Sequence, residues 1–177
     1  TFPYLVRILG MTSFGNIAFA QGIVQYFVLF TDYGFNLFGP KEIAKHDDES
    51  IRGIFFANIF WSKVFLLCIA SVIFLCCCWI FYKFNLCDVI LLLIIYINVI
   101  GNVLFPVWFF QGIQQMRYIT IVSVVARSIS VCGIFWFVQS PADYLWAGFF
   151  QSIPPLLAGF FSWYILWKKF PETLCFP

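Results

Sequence analysis

The chain of 177 residues is 63% hydrophobic and only 10% charged, and its mean hydropathy is +0.94. Soluble domains are about half apolar and about a quarter charged. The composition therefore excludes an ordinary soluble domain and indicates an integral membrane protein. The net charge of +2 is too small to indicate nucleic-acid binding, so we expect no nucleic-acid partner.

Five apolar stretches are long enough to cross a bilayer, which requires about 20 residues each. We predict an all-α, polytopic transmembrane bundle whose spans cover residues 16–33, 54–82, 86–109, 118–138 and 142–167. Residues 1–15 are predicted to be a loop that skirts the membrane, opening with the end of a truncated first helix. No initiating methionine and no signal-peptide pattern precede them. We therefore expect residues 1–177 to be a fragment.

The third and fourth spans are joined by an aromatic stretch. Trp108, Phe109 and Phe110 are followed by a Gln111-Gly112 turn, and Arg117 lies in the short loop beyond it. Aromatic rings are enriched at membrane–water boundaries, and glycine marks turns. The pattern predicts a helical hairpin that turns at a membrane face.

Charged residues crowd together between Asn36 and Gly53. We predict a short amphipathic helix at the membrane surface here, carrying Lys41, Glu42, Lys45, Asp47, Asp48, Glu49 and Arg52. Two breaks are predicted further along the chain: a tight turn at Lys83-Phe84-Asn85 and a kink at Pro154-Pro155, where backbone donors are missing.

The basic residues outside the spans are unevenly distributed. One side of the membrane would hold six of them, namely Lys41, Lys45, Arg52, Arg117, Lys168 and Lys169. The other side would hold two, Arg7 and Lys83. Because cytoplasmic loops are enriched in lysine and arginine, the side with six is expected to face the cytoplasm.

Two cations are predicted to lie inside spans. Lys63 is ten residues into its stretch, about 15 Å at 1.5 Å per residue, and Arg127 lies at a similar depth. A central charge costs about 2.5–3.5 kcal/mol, so such residues usually face protein or water. Either each cation has an internal partner such as Asp32 and orders the helices, or the two form a cationic patch that receives an anionic substrate.

Several polar residues recur at helical spacing. Thr120, Ser123 and Ser130 share a face with Arg127, and Gln21 and Gln25 share one with Asp32. Asp32 is either solvated at a helix end or a candidate for ion coupling.

Asn98 and Asn102 also share a helix face. We interpret them first as contacts between helices and second as substrate ligands.

No metal, cofactor or catalytic group is predicted. Cys68 and Cys76 to Cys78 lie in one span, and adjacent helix positions diverge by about 100°, so they cannot converge on one ion. Free cysteines of this kind are expected to act as small packing groups. His46, the single histidine, is in a distant polar segment, and no nucleophile–base pair or phosphate-cradling glycine loop is present.

The chain resembles the amino-terminal half of a bacterial O-antigen flippase, in the superfamily that also holds multidrug/toxin extrusion proteins. The matching pieces are Pro3 to Arg7, Leu9-Gly10, Phe14-Gly15, Phe19 to Gln21, Asp32 to Leu37, Glu42 to Ala44, Lys63, Pro106, Trp108 to Gly112, Met116 and Arg127. Lys41 stands where the family usually has arginine, and Val107 where threonine is common.

The resemblance implies one half of a two-bundle fold around a central cavity, with the second bundle absent. The expected function is movement of an undecaprenyl-pyrophosphate-linked repeat unit from the cytoplasmic to the periplasmic leaflet of the inner membrane. The expected partners are that lipid-linked oligosaccharide, the bilayer and other polysaccharide-assembly proteins. This function needs no covalent chemistry, so no enzyme activity is expected. A cation extruder and a membrane polysaccharide polymerase are the alternatives.

Overall fold

The computed structural model describes residues 2–45, 49–84 and 88–169, and no strand occurs in these ranges. Predictions that fall on His46, Asp47, Asp48 and Asn85 lie outside the described residues. Within these described ranges eight α-helices follow one another, with a short 3-10 turn (Pro141–Asp143) before the seventh. They are α1 (Phe2–Asp32), α2 (Phe35–Lys45), α3 (Glu49–Phe84), α4 (Val89–Leu104), α5 (Val107–Gly112), α6 (Met116–Phe137), α7 (Tyr144–Ser152) and α8 (Pro154–Lys169).

The prediction of an all-helical bundle with five membrane spans is confirmed. Among the described residues, five helical segments are long and apolar enough to cross a membrane: Pro3–Lys45, Ile51–Phe84, Val89–Gly112, Met116–Phe137 and Pro141–Lys169. Three of these segments contain a break between two helices, so eight α-helices make five spans.

The predicted loop over residues 1–15 is wrong from Phe2 onward, because α1 begins there. The helix is broken once, at Gly10, whose φ of 77° lies in the left-handed region that glycine tolerates. α1 ends before a turn at Tyr33 and Gly34, which have φ of 39° and 85°. The polar face of α1 is thus carried by an unbroken segment from Met11 to Asp32.

The predicted surface helix is α2, but its boundary differs from the expectation. Glu49 to Gly53 form the first turn of α3 rather than the end of a surface segment. α2 is also held more firmly than a surface helix, because Ile43 is completely buried against α5. A Cβ on Gly39 would lie 3.0 Å from the Trp108 ring, and one on Gly112 would lie 2.7 Å from Ile43 Cβ.

The aromatic stretch is buried inside the protein, so its interpretation as a boundary belt is wrong. Trp108, Phe109 and Phe110 are at most 1% exposed. They pack with Ile43 of α2, Phe56 of α3 and Leu166 of α8 in a cluster that we call the aromatic cluster. The turn itself is made by Gln114 (φ 58°), whereas Gly112 is required by its close contact with Ile43.

Two contacts show which helix ends lie together. The Lys169 ammonium at the end of α8 donates to the Tyr118 hydroxyl at the start of α6. At the other end, the Tyr4 hydroxyl of α1 donates to the Val138 carbonyl oxygen just beyond α6, over 3.1 Å. Together with the aromatic cluster, this places Lys45, Arg117 and Lys168 near one end of the bundle, which we call the basic end.

α4 and α8 approach each other closely. A Cβ on Gly101 would lie 2.4 Å from the Leu156 backbone nitrogen, so only glycine fits there. The α4 ladder breaks at Phe105-Pro106, which leaves the Leu104 carbonyl without its helical donor. Trp163 Nε1 of α8 donates to that oxygen over 3.0 Å.

The kink predicted at Pro154-Pro155 is confirmed as the break between α7 and α8. The cysteine prediction holds in part: Cys78 is buried, while Cys68, Cys76 and Cys132 are exposed on the outside of the bundle, where lipid would lie.

Candidate functional site: a polar cavity in the bundle

A cavity of about 580 Å³ lies between α1, α4, α6, α7 and α8. Its volume is within the range of about 300–1,000 Å³ typical of ligand pockets. Its polar lining is contributed by Gln21, Gln25, Asn98, Asn102, Ser123, Arg127, Ser130 and Gln151. We call it the large cavity.

Arg127 is the one charged residue that lines the large cavity within the described part of the chain. It lies at the middle of α6, eleven residues from Met116 and ten from Phe137, as its predicted depth requires. Its neighbour Ala126 is completely buried with Ala158 of α8, which turns the next side chain toward the cavity. The Arg127 side chain is exposed, and no carboxylate in the described ranges pairs with it.

Of the rest of the predicted polar stripe on α6, Ser123 and Ser130 line the large cavity and Thr120 does not. Ser123 lines the cavity beside Arg127. Ser130 is buried and its hydroxyl donates to the Phe150 carbonyl oxygen of α7, which fixes α6 against α7. Thr120 is exposed and contacts only its own helix, at Met116 O.

The other predicted cation, Lys63, is neutralised. Its ammonium donates to Asp32 Oδ1 over 2.8 Å, linking α3 to the end of α1. The Lys63 side chain is 4% exposed and that of Asp32 is 28% exposed. The pair lines a second cavity of about 230 Å³, which we call the small cavity. The internal-partner interpretation therefore describes Lys63 correctly, and Asp32 is not simply solvated.

The two cavities adjoin each other. Both are lined by Gln25, Asn102, Phe105 and Val107. Lys63 and Arg127 therefore face neighbouring spaces rather than one shared patch. Lys63 lies farther from the start of its helix than the ten residues predicted: fourteen residues separate it from Glu49 and twenty-one from Phe84.

Asn98 and Asn102 bind each other within α4. Asn102 Nδ2 donates to Asn98 Oδ1 over 2.8 Å and to the Asn98 backbone oxygen over 2.9 Å. These hydrogen bonds lie within one helix, so they do not support the interpretation of Asn98 and Asn102 as contacts between helices. Both side chains line the large cavity.

A hydrogen bond between α1 and α7 crosses the cavity wall, and its α7 partner was missed from the sequence. Gln21 Nε2 donates to Gln151 Oε1 over 2.9 Å. Gln151 Nε2 is buried and has no partner among the described residues. The available signal was a lone amide in the apolar stretch just before Pro154-Pro155.

The remaining predicted residues lie away from both cavities. Lys41 and Arg117 are exposed, and Arg117 lies 5.7 Å from the centre of the Tyr118 ring. Arg52 is half-buried near the start of α3. In the described ranges no three histidine, cysteine, aspartate or glutamate side chains come together as metal ligands would.

The five apolar spans and the polar cavity among them define a multi-pass helical membrane protein. The chain belongs to the family described as polysaccharide biosynthesis protein, which matches residues 1–177.

Two curated relatives are O-antigen transporters by name. Over 161 residues the chain is 37% identical to "Putative O-antigen transporter" of Escherichia coli (strain K12), a match that covers 90% of this chain and 38% of that protein. It is 29% identical over 177 residues to "Putative O-antigen transporter" of Shigella dysenteriae, covering 98% and 44%. The chain thus spans less than half the length of either relative. No solved structure matches at a significant level.

Proposed function

We propose that residues 1–177 form the amino-terminal bundle of a flippase. The full transporter would move an undecaprenyl-pyrophosphate-linked O-antigen repeat unit from the cytoplasmic to the periplasmic leaflet of the bacterial inner membrane. The family match and the names of the two relatives support this class of function. The observation that carries the proposal is the unpaired Arg127 in the large cavity.

A pyrophosphate that crosses a bilayer needs a positive partner, because moving an uncompensated anion into a low-dielectric region is costly. Arg127 offers a guanidinium, whose planar donors match phosphate oxygens bidentately. The surrounding amides and hydroxyls add hydrogen-bonding groups without adding competing negative charge. The cavity therefore suits an anionic head group.

Lys63 is assigned a different role. Its ammonium is already bound to Asp32, so it orders α1 and α3 and sets the charge of the small cavity to zero. Asp32 would take part in ion coupling only if that pair opened. Asn98 and Asn102 remain candidate substrate ligands in the wall that the two cavities share or adjoin.

The proposed direction rests on the basic end, which the bias of lysine and arginine assigns to the cytoplasm. Flipping breaks no covalent bond, so the proposal includes no enzyme activity and no cofactor. Other polysaccharide-assembly proteins are proposed as partners. An extruder of cations is disfavoured because no carboxylate lines the large cavity in the described residues, and Asp32 in the small cavity is paired.

Lipid binding by the purified chain tests the proposal. We expect the chain, in nanodiscs of neutral lipid, to bind undecaprenyl pyrophosphate, and Arg127→Ala to weaken that binding at least tenfold, which corresponds to about 1.4 kcal/mol. Native mass spectrometry or fluorescence titration would measure it. Arg117→Ala, which removes an exposed arginine at the basic end, is the matched control and should change little. Equal affinity of wild type and Arg127→Ala would contradict the proposal.

A further inference from the structure

Apart from Arg127, the polar lining of the large cavity is uncharged. Five of its side chains are carboxamides, which come from three helices: Gln21, Gln25, Asn98, Asn102 and Gln151. We call this set the amide wall. Spans as apolar as these gain nothing from five amides facing lipid, since each unpaired polar group there is costly.

The hydrogen bonds within the amide wall leave part of its capacity unused. The Asn102 amide donates both of its hydrogens to Asn98, so its own oxygen remains free to accept. Gln25 is exposed, lines both cavities and makes no side-chain hydrogen bond in the described ranges. Donors and acceptors therefore remain open toward the cavity.

The Gln151 side chain has a buried polar atom without a hydrogen-bond partner among the described residues. Its Oε1 accepts from Gln21, while its buried Nε2 has no partner in the described part of the chain. Reversing both amides would leave the Gln151 oxygen unpaired instead, so one buried polar atom is left over in either arrangement. Buried polar groups are nearly always hydrogen-bonded, and an exception in a cavity wall indicates a ligand or water position.

We infer that the amide wall is a binding site for uncharged sugar residues. Sugar hydroxyls both donate and accept, as carboxamides do, so the two sets of groups complement each other. Arg127 is the single cation of the cavity and would be engaged by phosphate, which leaves no positive partner in this wall for a sugar carboxylate. The inference rests on the proposed function and specifies its substrate as a lipid pyrophosphate that carries neutral sugars against this wall.

Three probes test the inference on the purified chain in nanodiscs: undecaprenyl pyrophosphate alone, the same lipid bearing a neutral disaccharide, and the same lipid bearing a disaccharide with a uronic acid. We expect the neutral disaccharide to tighten binding about tenfold over the sugar-free lipid, the factor expected of one or two hydrogen bonds between uncharged groups. The uronic-acid probe should gain less.

Substitutions at the wall should remove that gain selectively. Gln151→Met preserves length but not hydrogen bonding, and Gln25→Met does the same at an exposed position where folding is not at risk. We expect each to remove most of the tenfold gain, and to lower the affinity for the sugar-free lipid less than Arg127→Ala does. Gln139→Met, outside the cavity, is the matched control and should leave the gain intact.

The outcomes separate the two proposals. If Arg127→Ala leaves the affinity for the sugar-free lipid unchanged, the proposed function is contradicted. The amide wall is not a neutral-sugar site if the neutral disaccharide does not increase the affinity, or if the increase survives in both Gln25→Met and Gln151→Met. A larger increase for the uronic-acid probe would also contradict it. If none of the probes binds, both proposals are wrong.

Discussion

Lys63 and Asp32 differ in how far each is removed from water, and the difference has a consequence. Lys63 is 4% exposed and Asp32 is 28% exposed. Removing one partner of a buried ion pair strands the other, at a cost of about 3–5 kcal/mol when the survivor is fully buried. Both residues line the small cavity, but the more exposed Asp32 is better placed than Lys63 to regain water.

We therefore expect Asp32→Ala to destabilise the protein by about 3 kcal/mol and Lys63→Met by less than half of that. Thermal unfolding in detergent and abundance in the membrane would measure both. The double variant should recover much of the loss, because it leaves no unpaired charge. Equal losses, or a larger one for Lys63→Met, would contradict the inference that Asp32 regains water more readily than Lys63.

At the level of helices, the close contact of α4 with α8 sets the shape of the large cavity, since both contribute to its lining. The contact depends on Gly101, where a Cβ would meet the Leu156 backbone nitrogen at 2.4 Å. A backbone atom cannot rotate away as a side chain can. The two helices would have to separate.

Gly101→Ala should accordingly lower the free energy of unfolding by about 1–3 kcal/mol, the usual cost of overpacking. Gly22→Ala is the matched control: it also lies in a helix, and an added Cβ there would meet nothing within 4 Å. We expect that control to be neutral or slightly stabilising, because alanine favours helix over glycine. Unfolding midpoints in detergent would compare the two. Equal midpoints would show that the α4–α8 contact tolerates separation.

The sequence predicted the existence of the spans well and their boundaries less well. Apolar runs and the Pro154-Pro155 pair have local physical causes, so all five spans and that break follow from them. The prediction of a loop over residues 1–15 rests on Pro3, Arg7, Gly10 and Gly15, yet from Phe2 onward only Gly10 leaves helical geometry. The burial of Trp108 depends on α2 and α3 folding over it, a long-range contact that local pattern does not contain.

The site was predicted in part for the same reason. Arg127 and the face of Gln21 and Gln25 were found because charge and helical spacing are visible in the sequence. The pairing of Lys63 with Asp32 was only one of two alternatives, since a 31-residue separation fixes no geometry. Gln151 could be recognised only once α7 was placed beside α1.

For the whole molecule, the basic end makes a prediction about orientation. With the native cysteines replaced, Lys83→Cys should react with a membrane-impermeant maleimide in intact cells, and Lys45→Cys should react only after the inner membrane is permeabilised. The reason is that Lys45 belongs to the side with six basic residues, and Lys83 to the side with two. The reverse labelling pattern would invert the orientation and the proposed direction of transport.

The central claim is that Arg127 binds the pyrophosphate of a substrate during transport. Its direct test is surface display of O-antigen in a strain that depends on a longer transporter carrying this segment, with membrane abundance measured beside it. We expect Arg127→Lys to reduce display at normal abundance, because an ammonium cannot match the bidentate contact, and Arg127→Ala to reduce it further. Normal display by Arg127→Ala at normal abundance would contradict the claim, and so would a loss of display explained entirely by lost protein.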